Sequence, residues 1–160
     1  MSLFGLKVAK QFGGKLPSFK SQNEAEAFLF QQRDERLQLL LESAKNTNIF
    51  ATDFSQESLK NLESWYFALW ESSGFDKLRI TREEFESCMA SYFGEVVVRN
   101  HSDAKWVVQE FAFQNGRYEI GVQRRLGTVM LSRFTDHYKQ PNNKRRQNLF
   151  KMYQKYFSNI

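Results

Sequence analysis

The sequence predicts one α+β domain, with about four helices packed on a small antiparallel sheet built around one Asn-Gly hairpin. Three observations lead there. Apolar residues recur at intervals of three and four through most of the first hundred positions and again near the C-terminal end. After His101 the pattern changes to runs rich in Trp, Val, Phe and Tyr, with Asn115-Gly116 between two of them. Helices come first and strands later, which favours segregated layers over alternating βαβ units. The 160 residues fit a single core. A composition of 41% hydrophobic and 26% charged residues is too apolar for a disordered chain.

Residues 1–20 read as an N-terminal arm and 21–160 as the domain. Lys7 and Lys10 interrupt any apolar run that a secretory signal would need. Phe4, Leu6, Val8 and Phe12 suit either a short amphipathic segment on a membrane surface or an arm packed on the domain, and packing is expected. Gly13-Gly14 and Pro17 then break the segment.

A helix is expected over about 22–45. Ser21 to Glu24 has capping-box spacing: the Ser oxygen accepts a free backbone N–H and the Glu reaches back. Phe28, Leu29, Leu37, Leu40, Leu41 and Ala44 form its stripe, interrupted by the polar run from Gln31 to Arg36. That run is either exposed on all sides or covers another subunit. A second helix is expected over about 55–72, capped by Asp53 or Ser55, with Leu59, Leu62, Tyr66, Leu69 and Trp70 at helical spacing. Ser72-Ser73-Gly74 ends it. A third, over about 81–100, opens with the capping box Thr81-Arg82-Glu83-Glu84 and carries Phe85, Cys88, Met89, Tyr92, Phe93 and Val96. Gly94 lies inside that helix, at a cost of about 1 kcal/mol relative to Ala, so a close approach by another backbone is expected there.

Lys105–Phe113 and Arg117–Val122 are the hairpin strands. Tyr118, Ile120 and Val122 share one face, and Gly121 marks a bulge or a close approach. Residues 127–138 suit a short helix or a third strand. The break at Gln140 to Asn143 leads into a last helix over about 143–157, with Leu149, Tyr153, Tyr156 and Phe157 on its apolar face.

Chemistry is sparse. Cys88 lies on an apolar stripe and reads as a small hydrophobe. His101, Asp103, Asp136 and His137 occupy turn-like stretches, and no two His share a helix face, so no metal site is assigned. No phosphate-cradling loop or nucleophile signature occurs; no catalytic residue and no cofactor are expected. No apolar run is long enough to span a bilayer. Glu83 and Glu84 suit the positive end of a helix dipole. Glu95 is different, because it follows Gly94 beside the stripe. With Glu110 or Glu119 it would place a helix carboxylate opposite a sheet carboxylate across a groove.

Charge is uneven. Residues 101–160 hold 11 Lys/Arg against 4 Asp/Glu, a net of +7, while residues 1–100 hold 12 against 14, a net of −2. Arg124, Arg125, Lys144, Arg145 and Arg146, interleaved with aromatics, would serve a nucleic-acid-binding domain. Aromatic content of 16% exceeds what the stripes alone place in a core, so Trp65, Trp70 and Trp106 are candidates to line a groove or partner surface.

Tyr92-Phe93-Gly94-Glu95-Val96-Val97-Val98, a polar loop and Trp106-Val107-Val108 resemble a pattern in small uncharacterised bacterial α+β domains: a Gly-Glu helix followed by a Trp-initiated strand. The resemblance implies a bacterial protein, of a kind some of whose members are immunity or accessory proteins of toxin systems. The leading expectation is therefore a cytoplasmic, non-enzymatic protein-interaction module, with a protein partner or a second copy bound by exposed aromatics and a basic rim. The alternatives are the nucleic-acid-binding domain and a small-ligand binder or enzyme around Glu95 and Trp106.

Overall fold

The computed structural model describes residues 2–47, 50–138 and 147–158, apart from four side chains within 131–138. In chain order these form α1 (Leu3–Gly13), α2 (Gln22–Lys45), α3 (Gln56–Glu71), α4 (Gly74–Leu78), α5 (Arg82–Asn100), β1 (Ala104–Glu110), β2 (Tyr118–Arg124), β3 (Gly127–Met130), a 3-10 helix (Leu131–Tyr138) and α6 (Asn148–Phe157). The α+β class holds. Six α-helices rather than about four are present among the described residues.

The two extra helices have local causes. The arm is helical from Leu3 because the Ser2 hydroxyl oxygen accepts the Gly5 N–H at 3.0 Å and caps its first turn. α4 is a single turn closed off by left-handed residues at both ends, Ser73 (φ 56°) and Arg79 (φ 58°). The three long helices start where capping chemistry places them: the side chains of Ser21, Ser55 and Thr81 each accept the backbone N–H three residues on. Of the two residues offered as cap for α3, Ser55 takes the role. Asp53 instead accepts from the Ser55 N–H at 3.0 Å and hydroxyl at 2.7 Å.

α5 is buried on nearly every side, from Phe85 to Val97. It packs against α2, α3, α6, the 3-10 helix and the sheet. Val96, Val97 and Val122 are fully buried with Phe93, Phe134, Tyr153 and Phe157. A second, smaller apolar cluster joins Ala25 and Leu29 of α2 to Val108 and Tyr118 of the sheet.

The sheet is antiparallel in the order β1-β2-β3. Asn115-Gly116 does not form the two-residue turn that the sequence suggests. The β1–β2 connection runs from 111 to 117 and closes through the Phe111 N–H on the Arg117 carbonyl at 2.7 Å. Gly116 alone takes positive φ, at 80°. The reason lies in the arm: Phe19 donates its N–H to the Gly116 carbonyl at 2.9 Å, Tyr118 donates to the Pro17 carbonyl at 3.2 Å, and Ser18 bridges Arg117. The connection is shaped by this added edge. The tight turn is Arg125-Leu126 between β2 and β3, with Arg125 at φ 54°. Residues 127–138 divide into both alternatives, a strand and then a 3-10 helix. Gly121 needs no bulge. It pairs in register with Val107 and Met130, and a Cβ there would strike the β3 backbone.

In α6, Leu149, Tyr153 and Phe157 are buried, whereas Tyr156 is 44% exposed and leaves the apolar face assigned to it. The sequence-based start of this helix at 143 falls outside the described residues. No described helix is long and apolar enough to cross a membrane.

Candidate functional site

α2 crosses α5 over a row of small residues, and the space left between them becomes a cavity of about 350 Å³. α5 contributes Ser87, Ala90 and Ser91 with Glu86. α2 contributes Leu29, Gln32, Arg33 and Arg36, one face at spacings of three and four. The polar run that interrupts the α2 stripe therefore supplies a cavity wall. Trp106, Tyr118 and Ile120 of the sheet form the floor. Leu131, Ser132 and Phe134 close one end, and the arm closes the other with Phe12 and Lys15–Pro17. The arm is held there by the Arg117 Nη1 donating to the Leu16 carbonyl at 2.6 Å and by Phe12 set edge-on to Phe111 at 5.5 Å.

The acidic and hydroxyl groups around this space are engaged within the protein. Glu86 is buried, and its carboxylate accepts the Tyr66 hydroxyl at 2.6 Å with Arg82 at 3.6 Å. Burial, and then Glu86 itself, raise the Tyr66 pKa, so that hydroxyl is a fixed donor. Ser132 donates to Glu119 at 2.8 Å, Ser91 to the Ser87 carbonyl at 3.3 Å, and Ser87 to the Glu83 carbonyl at 3.1 Å. Arg33 is paired with Asp34 at 3.0 Å and lies over the rings of Phe30 and Trp106, at 4.8 and 5.0 Å.

Arg36 differs. Among the described residues its guanidinium has no hydrogen bond and no ion pair within bonding distance. Burial lowers its pKa from the ordinary arginine value, with Cys88 and Glu84 acting in the opposite direction. Cys88 behind it is buried, and its thiol is pushed up to about 11 by that burial. The cavity thus offers an apolar and aromatic floor and one partly buried cation without a bonded partner among the described residues, with Gln32 one turn away on the same helix face.

The sequence-derived candidates separate into four places. Trp106 lines the cavity. Glu95 stands behind it, accepting the Trp106 indole N–H at 3.2 Å on one oxygen and the Arg99 Nε at 2.9 Å on the other. The carboxylates that do reach the cavity from helix and sheet are Glu86 and Glu119; Glu110 instead accepts the Gly116 N–H at 2.9 Å. Trp65 is in the main core, edge-on to Phe85 at 5.1 Å, with no partner for its indole N–H among the described residues. Trp70 is half-buried and covered by the Arg82 guanidinium at 4.8 Å.

Of the basic residues, Arg124 is buried. It donates to Asp103 at 2.7 Å and to the Phe157 carbonyl, at the C-terminal end of α6, at 3.0 Å. Arg125 is exposed and pairs with the other oxygen of Asp103 at 3.3 Å. Lys144, Arg145 and Arg146 lie outside the described residues, as do the side chains of Asp136 and His137. Sequence reasoning missed Gln32, Arg36, Glu86 and Ser91. The signal available for them was the small-residue spacing Ser87, Ala90/Ser91, Gly94 facing a polar stretch of α2.

Comparison with known proteins gives the same outline as the Gly-Glu and Trp pattern. No solved structure matches. A curated relative, "Uncharacterized protein YwmA" of Bacillus subtilis (strain 168), is 34% identical over 115 residues, covering 72% of this chain and 73% of its own length. The family model described as uncharacterised protein YwmA matches residues 18–157, from the arm that edges the sheet to the last turn of α6, and the chain belongs to that bacterial family.

Proposed function

We propose that this protein binds a small molecule with one anionic group and an apolar body in the cavity between α2, α5 and the sheet. The observation that carries this reading is Arg36. The guanidinium is partly buried at the cavity and makes no ion pair among the described residues, and a carboxylate, sulfonate or phosphate on a ligand supplies one. The volume of about 350 Å³ falls in the range of small-molecule sites, and the Trp106, Ile120 and Leu131 surfaces accept the apolar part. Trp106 and Arg33 are held in place from behind by Glu95 and Asp34.

The interaction-module reading drew on an excess of aromatic rings. Many of those rings are needed elsewhere: Trp65, Tyr66, Tyr92, Phe85, Phe93, Phe134, Tyr153 and Phe157 are fully buried, or nearly so. The nucleic-acid reading loses the Arg124 side chain to the α6 carbonyl end.

The probe is 8-anilinonaphthalene-1-sulfonate, which joins fused rings to one sulfonate. The expected result is saturable one-to-one binding that Arg36→Gln weakens at least tenfold, with Arg125→Gln unchanged. Absence of saturable binding, or equal binding by Arg36→Gln, would overturn the reading.

A further inference from the structure

We infer that α1 is a docking helix for the surface of an anionic lipid bilayer. The helix meets the body through its C-terminal turn, where Gly13 abuts Phe111 and Gln114 so closely that no Cβ fits. Towards its N-terminus it presents large apolar side chains to water: Leu3 is 88% exposed, Phe4 77% and Val8 47%. These are not scattered. Leu3, Lys7 and Lys10 form one ridge and Phe4, Val8 and Gln11 the adjacent one, at helical intervals of four and three. Exposed apolar side chains grouped on one face mark a contact surface, whereas isolated ones do not.

Charge decides the occupant. Lys7, Lys10, Lys15 and Lys20 precede the first acidic residue of the chain, Glu24. Two copies related by a twofold axis along this helix would set Lys7 and Lys10 against their own counterparts with no carboxylate near, which like-charge repulsion opposes. A bilayer carrying anionic headgroups fits both features at once. Phe4, Leu3 and Val8 enter the headgroup–acyl boundary, and Lys7 and Lys10, on the Leu3 ridge, reach up to the phosphates along their methylene stems. The helix is already formed in the free protein through its Ser2 cap, so docking has no coil-to-helix step to drive. The surface is separate from the cavity, whose wall uses Phe12 and Lys15 of the same arm, and the two readings stand or fall independently.

The test is co-sedimentation of the full chain with vesicles of phosphatidylcholine and phosphatidylglycerol in equal parts, against vesicles of phosphatidylcholine alone. Binding to the anionic vesicles is expected, at least tenfold weaker on the neutral ones, and released by 0.5 M NaCl. The double variant Phe4→Glu/Val8→Glu and the double variant Lys7→Glu/Lys10→Glu should each reduce binding at least tenfold. All four positions are exposed, so circular dichroism and sulfonate-probe binding should match the parent chain. No sedimentation with anionic vesicles would overturn the inference, as would equal binding to both vesicle types or unaltered binding by both variants. A dimer that Phe4→Glu/Val8→Glu converts to monomer would also overturn it, assigning the face to a second copy.

Discussion

Gly94 lies directly against the indole of Trp106, so that a Cβ at position 94 would clash with the ring edge. The sequence reading expected another backbone to approach here; the approaching group is a side chain from β1. The contact sets the height of the cavity floor, and Glu95, the next residue on α5, fixes the same ring through its N–H.

Gly94→Ala is therefore expected to destabilise the protein by about 1–3 kcal/mol, despite the better helix propensity of Ala, because the ring must be displaced from a packed site. In the Trp106→Ala background, where the ring is gone, the same substitution should cost little. A urea-unfolding double-mutant cycle measures the coupling, and additive effects would show that the contact has no energetic consequence.

Glu63 performs a different task from a neighbouring helix. Buried on α3, it accepts the backbone N–H groups of Asn148 at 2.9 Å and Leu149 at 3.2 Å and the Tyr138 hydroxyl at 3.0 Å. It caps α6, whose own N-cap residue, Gln147, makes no side-chain capping bond. A carboxylate on orphan N–H groups at the positive end of a helix gains both hydrogen bonds and dipole energy. Glu63→Ala should cost about 2–3 kcal/mol, since it leaves a buried hydroxyl, one buried N–H and one part-buried N–H without that acceptor. Glu63→Gln should cost less, since the amide oxygen still accepts. The urea midpoint measures both, and equal losses for the two variants would contradict the capping role.

Local features were the legible ones. Ser21, Ser55 and Thr81 act within three residues of themselves, so their caps could be read directly. Glu63 acts across 85 residues, and nothing in its own neighbourhood marks it as a cap. The same holds for the cavity: Arg36 and Ser91 are each unremarkable on their own helices and acquire meaning where those helices cross. Trp65 and Trp106 were indistinguishable by composition; one packs inside the core and one lines the cavity because the faces of α3 and β1 meet different neighbours. The arm's pairing with Arg117 and Tyr118 joins residues about a hundred positions apart, beyond the reach of any local signal.

Two arginines near the sheet should respond in opposite directions. Arg36→Met removes a partly desolvated charge that has no bonded partner among the described residues, so the ligand-free protein should gain up to about 1 kcal/mol. Arg124→Met removes the partner of Asp103 and of the Phe157 carbonyl, and should cost about 2–4 kcal/mol. Thermal unfolding of the two variants checks the contrast. A loss of stability in Arg36→Met would mean that the native protein does compensate that charge.

His101 gives the stability a pH dependence. The ring is buried, with Nε2 2.7 Å from the Tyr153 hydroxyl. Burial lowers its pKa from the usual 6.5, the Arg124 charge adds to that, Asp103 opposes it and Arg125 adds further. The unfolded chain then binds a proton more readily than the folded one between the lowered value and about 6.5, so stability rises with pH through that window and is level above it. Asp103 acts lower down. Its hydrogen bond from Arg124 depresses its pKa, so its contribution is present above the usual carboxylate range and is lost as pH falls through the depressed value. Urea midpoints from pH 3 to 8 should show two separate declines on acidification. His101→Asn should abolish the upper one and leave the lower; a variant that kept both would place the upper transition on another group.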